Sequence, residues 1–194
     1  GGVVAVQDYA NDLRGRLSNP QDVAVDGKGQ LWVACSAPAV SADGQTIEWN
    51  RGYVDVLDRS GNELFTVMRA GSRSMQLVES VAANGTGLVY IGAQDAKGGF
   101  IAVYDEAGNY IRSIGAGKVD GPVDVEVASD GTLWTCSQGD GAVVHLAADG
   151  SELGRFATVG MPGGLTILPG GDLLVCMWGE SSEVQQVVRY NSRG

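Results

Sequence analysis

The chain is poor in metal-binding nitrogen and sulfur: one histidine, His145, and three cysteines, Cys35, Cys136 and Cys176, in 194 residues. No two cysteines form a C-x-x-C pair, which excludes a zinc site of the usual Cys/His spacing. The odd count excludes a complete disulfide framework. Each cysteine sits in an apolar, strand-like run and is expected to be a small buried hydrophobe. Basic residues are scarce as well. Thirteen Lys and Arg stand against 23 Asp and Glu, for a net charge of −10. Such a surface repels phosphate backbones and anionic lipid, so neither nucleic acid nor an anionic membrane surface is an expected partner. It leaves weak attraction for cations open, Ca²⁺ among them. The longest apolar run, Leu173 to Trp178, is far short of the ~20 residues of a membrane helix, so no membrane insertion is expected. No stretch carries a 3.6-residue apolar period, so helices should be few and short. No G-x-S-x-G, H-E-x-x-H or C-x-x-C-H occurs. Asp26-Gly27-Lys28-Gly29 precedes no helix and is therefore a hairpin turn, not a phosphate loop.

Glycine, in contrast, is abundant at 30 residues and scattered without a triplet period, which implies many tight turns. The turns mark a repeat. Asn19-Pro20-Gln21-Asp22-Val23-Ala24-Val25 leads through Asp26-Gly27-Lys28-Gly29 into Leu31-Trp32-Val33-Ala34-Cys35. Similar units begin at Val78, Pro122 and Pro162, the later spacings being 44 and 40 residues. Each unit is an alternating strand, a glycine-containing turn and a second strand with a large apolar residue, which is a hairpin pattern. A second hairpin follows, with third strands at 53–58, 100–105 and 142–146 and turns such as Arg59-Ser60-Gly61-Asn62 and Glu106-Ala107-Gly108-Asn109. Four strands every ~40 residues is the period of a β-propeller blade. The expected fold is all-β, with four-stranded antiparallel blades, about four of them present. Residues 1–18 read as strands three and four of a preceding blade. Three blades follow at 19–68, 77–115 and 121–157, and an incomplete one at 161–194. The count of 17 strands fits part of a larger or open ring better than a tight four-bladed ring with one strand to spare. An insertion at 36–51 lengthens the loop after the second strand, as a small hairpin turning at Asp43-Gly44. The chain opens on Gly1-Gly2 without a basic or apolar leader and reads as a processed or excised piece. Compartment is left open, an extracytoplasmic one being favoured.

The pattern Pro20-x-x-Val23-Ala24-Val25-Asp26-x-x-Gly29-x-Leu31-Trp32-Val33-Ala34, together with Val103-Tyr104-Asp105-x-x-Gly108, resembles the NHL repeat and the gluconolactonase and regucalcin-like six-bladed propellers. The resemblance covers nearly the whole chain outside 36–51. For the lactonase branch it implies a central divalent metal, held by carboxylate and amide side chains just after the proline of the motif. Here that column reads Gln21, Glu79, Val123 and Gly163, and the next reads Asp22, Ser80, Asp124 and Gly164. Glu79 is the candidate metal ligand, whereas Val123 and Gly163 bring no ligand side chain. Lyases on related propellers use histidine-bearing sites. His145 stands alone on an expected third strand and reads as an ordinary strand residue.

Asp22, Glu79 and Asp124 open innermost strands. There they serve either a cation or polar ligand, or the backbone N–H groups of the strand start. Glu126 interrupts an apolar strand and is expected in solvent. Trp32, Tyr90 and Trp134 align and are expected to pack between blades. Trp49 in the insertion and Trp178 after a second strand are candidate contact residues, as exposed loop tryptophans often are. Together these features point to a non-catalytic binding or scaffold module that contacts a protein or small ligand through Gln21, Asp22, Glu79, Asp124, Trp49 and Trp178, with no cofactor required. A Ca²⁺-type lactonase-like hydrolase, and a homo-oligomer pairing through open blade edges, are the alternatives.

Overall fold

The computed structural model describes residues 17–40, 47–179 and 185–191, without the side chains of 38–40 and 47–50. The stretch expected to carry two strands before residue 17, and the turn expected at Asp43-Gly44, lie outside the described residues.

The first blade comprises β1 (Pro20–Val25), β2 (Leu31–Val40), β3 (Ile47–Leu57) and β4 (Glu63–Val67). A two-stranded ribbon, β5 (Arg69–Ala70) and β6 (Arg73–Ser74), leads to the second blade. That blade holds β7 (Leu77–Ala83), β8 (Leu88–Asp95), β9 (Gly98–Asp105) and β10 (Tyr110–Ile114). The third holds β11 (Pro122–Val127), β12 (Leu133–Ser137), β13 (Ala142–Leu146) and β14 (Glu152–Ala157). Three strands make the fourth: β15 (Met161–Ile167), β16 (Leu173–Trp178) and β17 (Val187–Tyr190). Every sheet is an antiparallel meander in chain order, and no helix occurs among the described residues. The innermost strands pack in series, β1 beside β7, β7 beside β11 and β11 beside β15. Among the described residues β15 and β1 do not come together in this way, so the blades form an arc of a β-propeller.

Local chemistry explains the hairpins. In the turns at 58–62 and 105–109 the first aspartate accepts hydrogen bonds from backbone N–H groups two and four residues on, and from the amide of Asn62 or Asn109. Gly61 and Gly108 occupy the left-handed position of these turns, at φ +83°, where a Cβ would be strained. The insertion lengthens β2 and β3 into one ladder that runs out to the Val40–Ile47 pair.

Alternation then sorts each strand into a forward face, toward the next blade, and a rear face, toward the previous one. Trp32 faces forward into a cluster with Val78, Val81, Ile91 and Phe100 of the second blade. Tyr90 does the same against Val125, Leu133 and Val144, and Trp134 against Leu165, Leu173 and Val175. Each such buried side chain contributes roughly 1.5–3 kcal/mol. The ribbon is fastened by Arg73, which makes a two-pronged ion pair at 2.8 Å with Asp95 and lies 3.6 Å over the Phe100 ring. Cys35 and Cys136 are buried as expected, but Cys176 is exposed. It lies on the forward face of the fourth blade, which no described residue covers.

Candidate functional site

The inner rim, and a groove between the third and fourth blades, both carry polar side chains in defined geometry.

The inner rim is built on a repeated irregularity. The β1–β2 ladder shifts register between Pro20 and Asp22, and the same shift recurs at Val78/Ser80, Pro122/Asp124 and Pro162/Gly164. Gln21, Glu79, Val123 and Gly163 are therefore each the extra residue of a β-bulge, taken out of the ladder at one level in all four blades. Gln21 is exposed, and its amide donates to the Asn19 carbonyl at 3.1 Å. Glu79 is half-buried, and that burial pushes its carboxyl above the ordinary range.

The next residue in each blade joins neighbouring blades. The Asp22 carboxylate accepts a hydrogen bond from Val81 N–H at 2.9 Å, in the second blade. Ser80 Oγ donates to the Pro122 carbonyl at 3.0 Å, and Asp124 accepts from Leu165 N–H at 2.5 Å. The two aspartates serve backbone N–H groups, as one sequence reading expects, but those groups belong to the next blade as well as to their own. Burial, then the nearby charges of Asp22 and Glu126, push the Asp124 carboxyl up to about 6 against the pull of the Leu165 and Val125 N–H groups. Glu126 is not solvated as expected. It is half-buried, its carboxyl is pushed up by burial, and it hydrogen-bonds Thr166 of the fourth blade.

A resident Ca²⁺ of the lactonase kind does not fit this donor set. Calcium takes six to eight oxygens. The bulge column of the described blades offers one carboxylate, Glu79, and one amide, Gln21, while Asp22 and Asp124 are engaged with backbone N–H groups. Among the described residues no three His, Cys, Asp or Glu side chains come together in a way that holds a metal ion.

Trp178 closes β16 opposite Met161, and its side chain is exposed. It borders a hollow of about 550 Å³ with Met161, Met177, Gly179 and Gln185. Its indole leans over Gly163, where an added Cβ would lie only 2.4 Å from Nε1. The side chain of Trp49, the other expected contact tryptophan, lies outside the described residues, although its backbone opposes Pro38 in the insertion ladder.

Sequence reasoning passed over the groove. It lies between the turns 128–132 and 168–171, holds about 550 Å³, and is lined by Glu126, Asp130, Thr132, Trp134 and His145 among others. His145 lies directly across the β12–β13 ladder from Trp134, and their rings stack at 3.9 Å, only 4° from parallel. His145 Nε2 is 2.9 Å from Thr132 Oγ1, which is 2.7 Å from Asp130 Oδ1. The hydroxyl hydrogen of Thr132 goes to the carboxylate, so Nε2 must carry the hydrogen that binds Thr132. Burial lowers the pKa of His145 against the opposing pull of Asp130, and its ring is neutral at neutral pH. Hydrogen bonds from Thr132 hold Asp130 below the usual carboxylate range. The hairpin register, which sets Trp134 opposite His145, was the available signal.

No family model matches the sequence, and no curated protein matches it. Solved structures do match its fold. Hydrazine synthase of Kuenenia stuttgartiensis superposes with a TM-score of 0.68 at 18% identity, covering 91% of this chain and 47% of that one. A gluconolactonase of Xanthomonas campestris superposes at 0.60, with 18% identity and coverage of 82% and 54%. A Bacteroides caccae protein of unknown function gives 0.58, with 16% identity and coverage of 89% and 61%. The chain is a β-propeller protein, and gluconolactonase is among the proteins that share its fold. It spans about half the length of these structures.

Proposed function

We propose that this chain is a non-catalytic binding module whose rim groove between the third and fourth blades takes a cationic group, an amine or guanidinium, from a protein or small ligand. The observation that carries this reading is the lining of the groove. Two carboxylates, Glu126 and Asp130, border a stacked and uncharged Trp134–His145 pair, and among the described residues no Lys or Arg lines the space. Carboxylates supply charge-assisted hydrogen bonds to such a group, and the uncharged ring of His145 beside them sets no opposing charge, while the volume is that of an ordinary ligand cleft.

The test is a titration with butylguanidinium against its neutral isostere butylurea, followed by amide and imidazole NMR shifts. Shifts centred on Thr132 and His145 with the cation alone, weakened about tenfold by Glu126→Gln or Asp130→Asn, are expected. An equal response to both compounds, or none at these residues, refutes the reading.

The lactonase-like reading draws on the half-buried Glu79 in the bulge column and on the shared fold. Saturable Ca²⁺ binding that Glu79→Gln abolishes would favour it over the binding module.

A further inference from the structure

One turn of the second blade differs from its counterparts by a single functional group. Asp26, Asp58 and Asp105 each accept, on one carboxylate oxygen, the backbone N–H groups two and four residues on. In the turn between β7 and β8 the same two bonds, from Thr86 N–H at 2.9 Å and Leu88 N–H at 3.1 Å, end on Oδ1 of Asn84, an amide. Backbone N–H groups donate, so the atom they meet is the carbonyl oxygen and the amide nitrogen Nδ2 is left over. Among the described residues Nδ2 has no hydrogen-bond partner. Other asparagine amides are engaged, Asn19 with the Ser36 carbonyl, Asn62 with Asp58 and Asn109 with Asp105.

Asn84 is also the one asparagine in the chain that a glycine follows. Asn19 precedes Pro20, which has no N–H, and Asn62 and Asn109 precede the bulkier Glu63 and Tyr110. Gly85 is exposed, and a Cβ built on it would meet nothing within 4 Å. Its N–H makes no hydrogen bond among the described residues. Three parts of an intramolecular acyl transfer therefore sit together in this turn. The Gly85 nitrogen is a tethered nucleophile without a side chain to hinder it. Two N–H donors hold Asn84 Oδ1, where negative charge develops when Cγ is attacked. The leaving nitrogen, Nδ2, is held by nothing.

We propose that Asn84 is a modification site at which the folded chain converts its own side-chain amide to a carboxylate. This goes beyond the rim-groove reading and is independent of it. The Gly85 nitrogen gives its proton to hydroxide and forms a bond to Asn84 Cγ. The Cγ–Nδ2 bond breaks, and Nδ2 takes a proton from water and leaves as ammonia. Water then opens the cyclic imide. Cleavage at Cγ leaves aspartate, and cleavage at the Asn84 carbonyl carbon leaves isoaspartate, with one water consumed and one ammonia released either way. Aspartate reproduces the turns of Asp26, Asp58 and Asp105, so the fold accommodates it. One negative charge is added to the net −10. It arises where the second blade meets the first, since the Gly85 carbonyl lies 3.1 Å from where a Cβ on Gly27 would stand.

Peptide mapping by mass spectrometry tests the proposal on the intact folded chain, held at pH 8 and sampled over days beside the same chain unfolded in urea. The mass gain of amide-to-acid exchange is expected in the folded chain at Asn84, at least about tenfold faster than at any other asparagine, a lead within the reach of a single oxyanion donor. Its rate should rise with pH, because attack needs the Gly85 nitrogen without its proton. On anion exchange the product should run as a more acidic species, level with the variant Asn84→Asp, which should keep the circular dichroism of the parent. A folded chain in which the Asn84 amide keeps pace with the other asparagines, or outlasts them, overturns the proposal. So does conversion confined to the chain unfolded in urea.

Discussion

Asp124 is a carboxylate whose burial works against the folded state at neutral pH. In the folded chain burial pushes its carboxyl up to about 6 from the ordinary aspartate value of 3.8, a gap equivalent to about 3 kcal/mol. Because the folded value is the higher one, the folded state binds the proton more readily between those two values. This group therefore favours the fold most below about 4, and the advantage is lost as pH rises through about 6. Asp124→Asn removes the charge facing Asp22 and Glu126 and keeps an oxygen to accept Leu165 N–H. At pH 7.5 that variant should be about 2 kcal/mol more stable than the parent, and at pH 4 the difference should vanish. Asp124→Ala also removes the charge but leaves Leu165 N–H without its acceptor, and should fall about 1–3 kcal/mol below the asparagine variant. Urea unfolding midpoints of the three proteins at pH 4, 5.5 and 7.5 provide the assay. If Asp124→Asn is no more stable than the parent at pH 7.5, or its pH dependence parallels the parent's, burial does not set the behaviour of this residue.

Two further outcomes follow from contacts outside the inner rim. Ser36→Ala strands both the N–H and the carbonyl of Val78 in a buried junction, and should lower stability by about 1–3 kcal/mol, read from the urea midpoint. Asp95→Ala leaves the Arg73 guanidinium over Phe100 without its carboxylate, at a cost of about 2–4 kcal/mol. The hydrogen bonds from Arg73 hold the Asp95 carboxyl below its ordinary 3.8, so its contribution is present above that pH and lost as pH falls through the folded value. The loss caused by Asp95→Ala should accordingly shrink in strong acid.

Blade architecture was readable in the amino-acid order because it is local. Turns such as Asp58–Asn62 and Asp105–Asn109 close through bonds spanning at most four residues, and the two-residue alternation of each strand follows from the pleat. The alignment of Trp32, Tyr90 and Trp134, and their packing between blades, follow from that alternation once the repeat is recognised. What the order of residues left open lies across blades. Asp22 and Val81 are 59 residues apart, and Asp124 and Leu165 are 41 apart. Alternation divides a strand into two faces without saying which neighbour covers each. Thus Glu126 was expected in solvent and lies against Thr166, and Cys176 was expected inside and lies open. The Trp134–His145 stack needed the β12–β13 register as well as the strands themselves. Short-range hydrogen bonding and steric preference decide turns and strands from neighbouring residues alone. Burial, carboxylate pKa and the open or covered state of a blade face depend on residues some 40 positions away, and only the packed arc brings those together.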